Sequence, residues 1–165
     1  MCMEDNLKNI INGLYKPPIG KRQAVAMSRR SAEQLPLLMS IGVISITTPE
    51  RELANLASFP SILRLSFADV DFQNTELSIR AKGKINSAFN QKHAGQICDF
   101  IESLPSEICS VVVHCEGGYS RSTAVVQALH DLYGFQVNVE TLKQANPSIL
   151  SLLRKEGSRR NRARY

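Results

Sequence analysis

At 165 residues, with 43% apolar and 21% charged side chains, the chain is long enough to bury one hydrophobic core without staples. No apolar run approaches the ~20 residues that a membrane span requires, and the N-terminus, Met1-Cys2-Met3-Glu4-Asp5-Asn6-Leu7-Lys8, lacks the long apolar stretch of a secretory leader, so no membrane association and a cytoplasmic location are expected. The formal charge of +5 resides wholly after residue 153, where Arg154, Lys155, Arg159, Arg160, Arg162 and Arg164 stand against Glu156, which excludes a basic face on the folded body as its source.

In chain order, short aliphatic runs alternate with helical patterns, which predicts an α/β fold around a mostly parallel sheet of about four to five strands flanked by helices. The expected strands are Ala24–Met27, Val43–Ile46, Ile62–Phe67 and Val111–His114, each apolar enough to be covered on both faces. A helix is expected over Ala32–Ser40, with Pro36 near its start, and another from Pro49-Glu50-Arg51-Glu52, where proline and acids suit a first turn. Asp69–Ser87 is polar and poorly periodic and reads as a long loop. Asn90–Leu104 places Ala94, Ile97, Cys98, Ile101 and Leu104 at three- and four-residue spacing, an amphipathic helix ending before Pro105. Ser122–Tyr133 is a further helix with Gly134 as its C-cap. Glu140–Ala145 and Ser148–Lys155 read as two short helices separated by Asn146-Pro147. One domain is expected over residues 1–153, its core about 21–153, followed by a basic, disordered tail over 154–165.

Four cysteines, Cys2, Cys98, Cys109 and Cys115, are expected as free thiols. No cysteine or histidine spacing suits a metal, since His93, His114 and His130 are scattered; no cofactor is expected. Cys98 lies on the apolar face of its helix, where core packing is the ordinary role of a cysteine.

The informative segment is His114-Cys115-Glu116-Gly117-Gly118-Tyr119-Ser120-Arg121-Ser122. A buried strand, Val111-Val112-Val113, runs into it and a helix starts near Arg121, so Cys115 falls at the C-terminal end of a strand, where open α/β sheets bind ligands. The residues Glu116, Gly117, Gly118, Tyr119 and Ser120 form a tight turn whose backbone N–H groups point inward beside a helix N-terminus, a cradle for a phosphate. Gly117 and Gly118 permit the backbone angles such a turn demands. The same field favours the thiolate of Cys115, the nucleophilic form of the side chain. Arg121 returns from the first helical turn with a planar fork that can hold two phosphate oxygens. Ser122 can hydrogen-bond the sulfur as it leaves, and His114 is assigned a loop-orienting role.

Together these residues resemble the signature loop of the protein tyrosine phosphatase superfamily, and Gly118-Tyr119-Ser120-Arg121-Ser122 is similar to that of the small dual-specificity phosphatases. Leu38–Ile46 resembles the passage into that family's core strand, and about 110 residues, from about 35 to 145, follow the family pattern. The resemblance implies metal-independent hydrolysis of phosphomonoesters through a phosphocysteine. It also implies a general acid, an aspartate on the loop after the strand preceding the nucleophile's strand. Here Phe67-Ala68-Asp69-Val70-Asp71, followed by Gln73-Asn74, offers two candidates, and Asp69 is preferred to Asp71. The 46 positions from Asp69 to Cys115 exceed the usual gap, so residues 72–88, with Arg80, Lys82 and Lys84, read as an insertion, either a substrate-facing lid or a solvated loop.

The phosphate loop holds one acid, Glu116, and no base, which disfavours a multiply phosphorylated lipid head group by like-charge repulsion. A phosphorylated protein, carrying phosphotyrosine or phosphoserine/threonine, is the expected substrate. Three other readings compete: a silent phosphate-binding module, a rhodanese-like sulfurtransferase, and an RNA 5′-phosphatase encouraged by the Arg-rich tail. That tail could contact nucleic acid, but it lacks interleaved aromatics and is better read as solubilising.

Overall fold

The computed structural model describes residues 3–73, 76 and 78–165; Cys2 and Asn74, named above, lie outside the described residues. Its order is α1 (Met3–Tyr15), β1 (Gln23–Ser28), α2 (Arg29–Ala32), β2 (Ile41–Thr47), β3 (Ser61–Ser66), α3 (Ile79–Gly83), α4 (Gln91–Glu102), β4 (Ser110–Cys115), α5 (Arg121–Tyr133) and α6 (Pro147–Ala163), with short 3-10 turns at Ile85–Ser87 and Val139–Leu142. The four strands form one parallel sheet in the order β1-β4-β2-β3, the α/β architecture expected. β4 lies inside the sheet, paired with β1 through Ser28↔Cys115 and with β2 through Ser45↔His114.

Strand alternation divides the core between the two faces of the sheet. Val111, Val113 and Cys115 point into a cluster with Ile97 and Ile101 of α4, Val125 and Leu129 of α5, and Ile149 and Leu153 of α6. Val112 points the other way, into a cluster holding Val43, Ile41, Ala32 of α2 and Leu14 of α1. Each fully buried aliphatic chain contributes about 1.5–3 kcal/mol relative to exposure. Leu7, Ile10, Ile11 and Leu14 line one stripe of α1, which is how a segment given no element above covers the second face.

Several expectations fail for local reasons. The helix expected over Ala32–Ser40 is only the four residues Arg29–Ala32, started by the Ser28 hydroxyl, which accepts from Ser31 N. The chain tightens through Leu35 N→Ala32 O and cannot continue at Pro36, which has no N–H and disfavours helical backbone at Leu35. No helix forms at Pro49. Thr48–Arg51 closes a turn through Arg51 N→Thr48 O, with Pro49 second and Glu50 third at φ +75°. Beyond it, the Arg29 guanidinium takes the Glu52 and Leu53 carbonyls, which a helix would have used itself. The segment read as a loop over Asp69–Ser87 contains α3, capped by Ser78, and the 3-10 turn at Ile85–Ser87. Glu140–Ala145 gives only the 3-10 turn Val139–Leu142.

The largest correction concerns the C-terminus: residues expected as a disordered tail continue α6 to Ala163. Four of their six cations are matched by carboxylates. Arg160 reaches Glu156, Asp99 and Glu102 and the Gly95 carbonyl; Arg159 grips Glu156 through two nitrogens; Arg164 meets Glu102, and Arg154 meets Asp131 at 2.5 Å. Gly157 lets α6 approach α5, since a Cβ there would sit 2.3 Å from Leu132 Cδ2. No helix among the described residues is long and apolar enough to cross a membrane.

Glu156, only 4% exposed, anchors this network. Hydrogen bonds from Arg159, and then from Arg160, outweigh burial and depress its carboxyl from 4.5 to about 2. A carboxyl depressed on folding stabilises the fold above its unfolded value, and that contribution is lost as pH falls. Acid titration should therefore lower the thermal midpoint between about pH 4.5 and about 2. Glu156→Gln should lower the midpoint at pH 7 and remove its share of that acid dependence.

Candidate active site

The segment His114–Ser122 is the junction of β4 and α5. Cys115 is the last residue of β4 and 2% exposed, and its Sγ accepts from Gly118 N at 3.2 Å and lies 3.2 Å from Ser122 Oγ. Gly118 has φ +80°, and a Cβ there would fall 2.5 Å from the backbone of Met27 and Ser28. Glycine is thus required twice, by the backbone angle and by the closeness of β1. Gly117 lies under the Tyr119 ring, which a Cβ would meet at 2.3 Å, while Tyr119 itself is 58% exposed.

Arg121 opens α5 and is 5% exposed. Its Nη1 donates to Thr48 Oγ1 at 2.9 Å and to the Phe67 carbonyl at 3.0 Å. Its buried Nε has no hydrogen-bond partner among the described residues. One side of the guanidinium is bolted to the residues that follow β2 and β3. A buried donor without an acceptor costs about 1–3 kcal/mol, so an oxyanion here would be strongly favoured.

His114 alternates away from the sulfur. Its Nε2 lies 2.6 Å from Ser45 Oγ on β2, and its Nδ1 lies 3.4 Å from the Cys115 carbonyl. Since a carbonyl only accepts, Nδ1 carries the hydrogen and the Ser45 hydroxyl donates to Nε2. Burial lowers the pKa of His114, which favours the neutral imidazole.

Glu116 turns away from the loop's interior. Its carboxylate pairs with Arg29 at 3.2 Å and Arg51 at 3.6 Å, and its carbonyl accepts from Arg29 N. With two guanidinium groups meeting that charge, the repulsion of a second phosphate is weaker than the sequence suggests.

The two aspartates separate clearly. Asp69 Oδ1 accepts from Ser120 Oγ of the phosphate loop and from Asn146 Nδ2, both at 2.9 Å. Asp71 Oδ1 instead accepts from Ser148 Oγ at 2.7 Å and from Gln73 N at 3.1 Å. The loop carrying both is moored on its far side, where Ala68 N donates to Ser87 O at 2.7 Å and bridges Ala88. The long segment before α4 therefore starts and ends beside the site.

Sequence reasoning missed Ser45, Thr48, Arg29, Arg51 and Asn146, each of which holds a group of the loop or the aspartate. Only Asn146 carries a local signal, an N-cap before a proline, and that signal announces a helix start rather than a site. Cys98, Cys109 and Cys115 are free thiols; Cys98 is fully buried and burial pushes its thiol pKa up, as befits a core residue.

The chain is similar to the crystal structure of PTPMT1 at 18% identity, over 86% of this chain and 94% of that chain, with a TM-score of 0.48. It is similar also to PTPMT1 in complex with PI(5)P, at 16% identity, over 87% and 95% of the two chains, with a TM-score of 0.49. Comparison with protein-family models and with curated proteins finds no match.

Proposed function

We propose that this chain is a metal-independent phosphatase of the cysteine-dependent, dual-specificity type, acting on phosphorylated protein side chains. The observation that carries the reading is convergence: Cys115 Sγ meets Gly118 N and Ser122 Oγ at the strand-to-helix turn that also carries Arg121, whose buried Nε has no partner among the described residues. In the first step the Cys115 thiolate attacks phosphorus, and the bond from phosphorus to the leaving oxygen breaks. Asp69 gives that oxygen its proton. In the second step water attacks the phosphocysteine and passes its proton to the Asp69 carboxylate. The sulfur–phosphorus bond then breaks, and the Ser122 hydroxyl stabilises the departing thiolate. The residues from Glu116 to Ser120 supply the phosphate cradle through their backbone, with Arg121 neutralising the oxyanion.

Asp69 is favoured over Asp71 because its carboxylate touches Ser120 of the phosphate loop, whereas Asp71 is occupied by Ser148 and Gln73. A protein substrate accords with the C-terminal helix, where four of the six cations are in ion pairs rather than displayed for a polyanion.

The test is turnover of an aryl phosphate in the presence of chelator by the wild type, Asp69→Asn and Asp71→Asn. Wild-type turnover is expected, with a loss of about 10²–10⁴-fold for Asp69→Asn on an ester with a poor leaving group. Asp71→Asn should lose far less. Absence of wild-type turnover sinks the enzyme reading, and a larger loss in Asp71→Asn reassigns the acid.

A further inference from the structure

We propose that Asn146, outside both the phosphate loop and the acid loop, is the positioning residue that orients Asp69 for proton transfer; this rests on the phosphatase reading above. Asn146 is 4% exposed and every hydrogen-bonding group on its side chain is used. Its Oδ1 accepts from Ser148 N at 3.0 Å and Ile149 N at 3.2 Å, capping α6. Its Nδ2 donates to Asp69 Oδ1 at 2.9 Å and to the Val70 carbonyl at 3.1 Å. Its backbone N–H donates to the Ser120 carbonyl at 3.1 Å. One residue thus ties the acid loop, the phosphate loop and the start of α6 together. The four partners also fix the amide: reversing it would set N–H against N–H and oxygen against oxygen.

The consequence is chemical as well as mechanical. Asp69 Oδ1 accepts two hydrogen bonds, from Ser120 Oγ and Asn146 Nδ2, and so has no room for a proton of its own. The transferable proton belongs on Oδ2, the oxygen neither donor occupies. A second latch lies one helical step on, where Ser148 Oγ donates to Asp71 and accepts from Gln73 N. Residues 69–73 are therefore held against the N-terminus of α6 at both ends, and the acid sits beside the phosphate loop already in place.

Asn146→Ser and Asn146→Thr separate this role from helix capping, because serine and threonine both cap well while neither reproduces the amide donor to Asp69 and Val70. Each would be assayed on a series of aryl phosphates whose phenols range from acidic to weakly acidic, alongside thermal unfolding. We expect thermal midpoints lowered modestly and alike in the two variants, because the buried Val70 carbonyl loses its donor, with losses of about 10- to 100-fold on poor leaving groups, the scale of a mispositioned catalytic group. On activated esters, which leave with little protonic help, the loss should be no more than a few-fold. The slope of rate against leaving-group acidity should steepen as it does in Asp69→Asn. Asp69→Asn combined with Asn146→Ser should be no slower than Asp69→Asn alone. Equal losses across the series, or losses that multiply in the double variant, would overturn the proposal while leaving the enzyme reading intact. No wild-type turnover of the activated ester would instead overturn the enzyme reading, and the assignment of Asn146 with it.

Discussion

Cys115→Ser is expected to abolish aryl phosphate turnover while leaving both the fold and oxyanion binding in place. The sulfur is held by Gly118 N and Ser122 Oγ, each at 3.2 Å, and a serine hydroxyl can take both hydrogen bonds. The side chain it replaces is 2% exposed, and the substitution adds no bulk. Chemistry is another matter. The cradle can assist a thiolate but not a hydroxyl, which has no adjacent base: His114, the nearest imidazole in sequence, faces Ser45 on the other side of β4. Removing a nucleophile from such a unit costs on the order of 10⁶-fold. Stopped assays should show turnover at background, and calorimetric titration with inorganic phosphate should still show binding through Arg121 and the loop amides. Turnover surviving this substitution would sink the covalent mechanism.

How much of this was legible before folding depends on the range of each interaction. The nucleophile, the glycines and Arg121 are neighbours in one strand–turn–helix segment, and local rules sufficed to place them together. Even there, the reason for Gly118 was only half visible: its positive φ follows from the turn, but the collision with Met27 and Ser28 requires knowing that β1 pairs with β4. The strands were readable because each carries an aliphatic run, although only the inner pair, β2 and β4, is buried throughout. The helix expected at Ala32–Ser40 failed because Pro36 brings no N–H, and the one expected at Pro49 failed because a distant guanidinium takes carbonyls it needed. The C-terminal tail misled most. Six cations against one acid look like a solvated run, yet their partners Asp99, Glu102 and Asp131 lie on α4 and α5. Likewise nothing near Asn146 in the chain announces a carboxylate 77 positions away.

The choice between Asp69 and Asp71 shows what tertiary structure adds. Both residues sit after the same strand, and one residue of spacing separates a catalytic candidate from a helix-start partner. What decides is not burial or charge but the donors each carboxylate meets: Ser120 belongs to the phosphate loop, and Ser148 belongs to α6. The site is therefore assembled by three segments far apart in sequence, and the tolerance of each to substitution should follow how many of these bonds it carries.

Bond number is not the whole measure: the Arg121 side chain makes two of these bonds against four for Asn146, yet Arg121→Lys should be the most damaging conservative change in the protein after loss of the nucleophile, because its guanidinium is the group proposed to hold the phosphate. A lysine keeps the charge but presents one ammonium where the guanidinium divides two tasks. Nη1 holds Thr48 Oγ1 and the Phe67 carbonyl, and Nε faces away from those anchors, unpartnered and buried. An ammonium placed to satisfy Thr48 and Phe67 withdraws from the phosphate, and one placed on the phosphate leaves a buried carbonyl without its donor. Losing a preorganised donor to a developing oxyanion costs about 10²–10³-fold, and here the anchor is lost as well, so kcat/KM should fall by about 10³-fold or more. The anchors predict an asymmetry. Thr48→Val removes one bond to Nη1 and leaves the fork facing the ligand, so its loss should be at least tenfold smaller than that of Arg121→Lys by the same measure of one hydrogen bond. Equal losses in the two variants would show that Arg121 acts through its hold on β2 rather than through the phosphate.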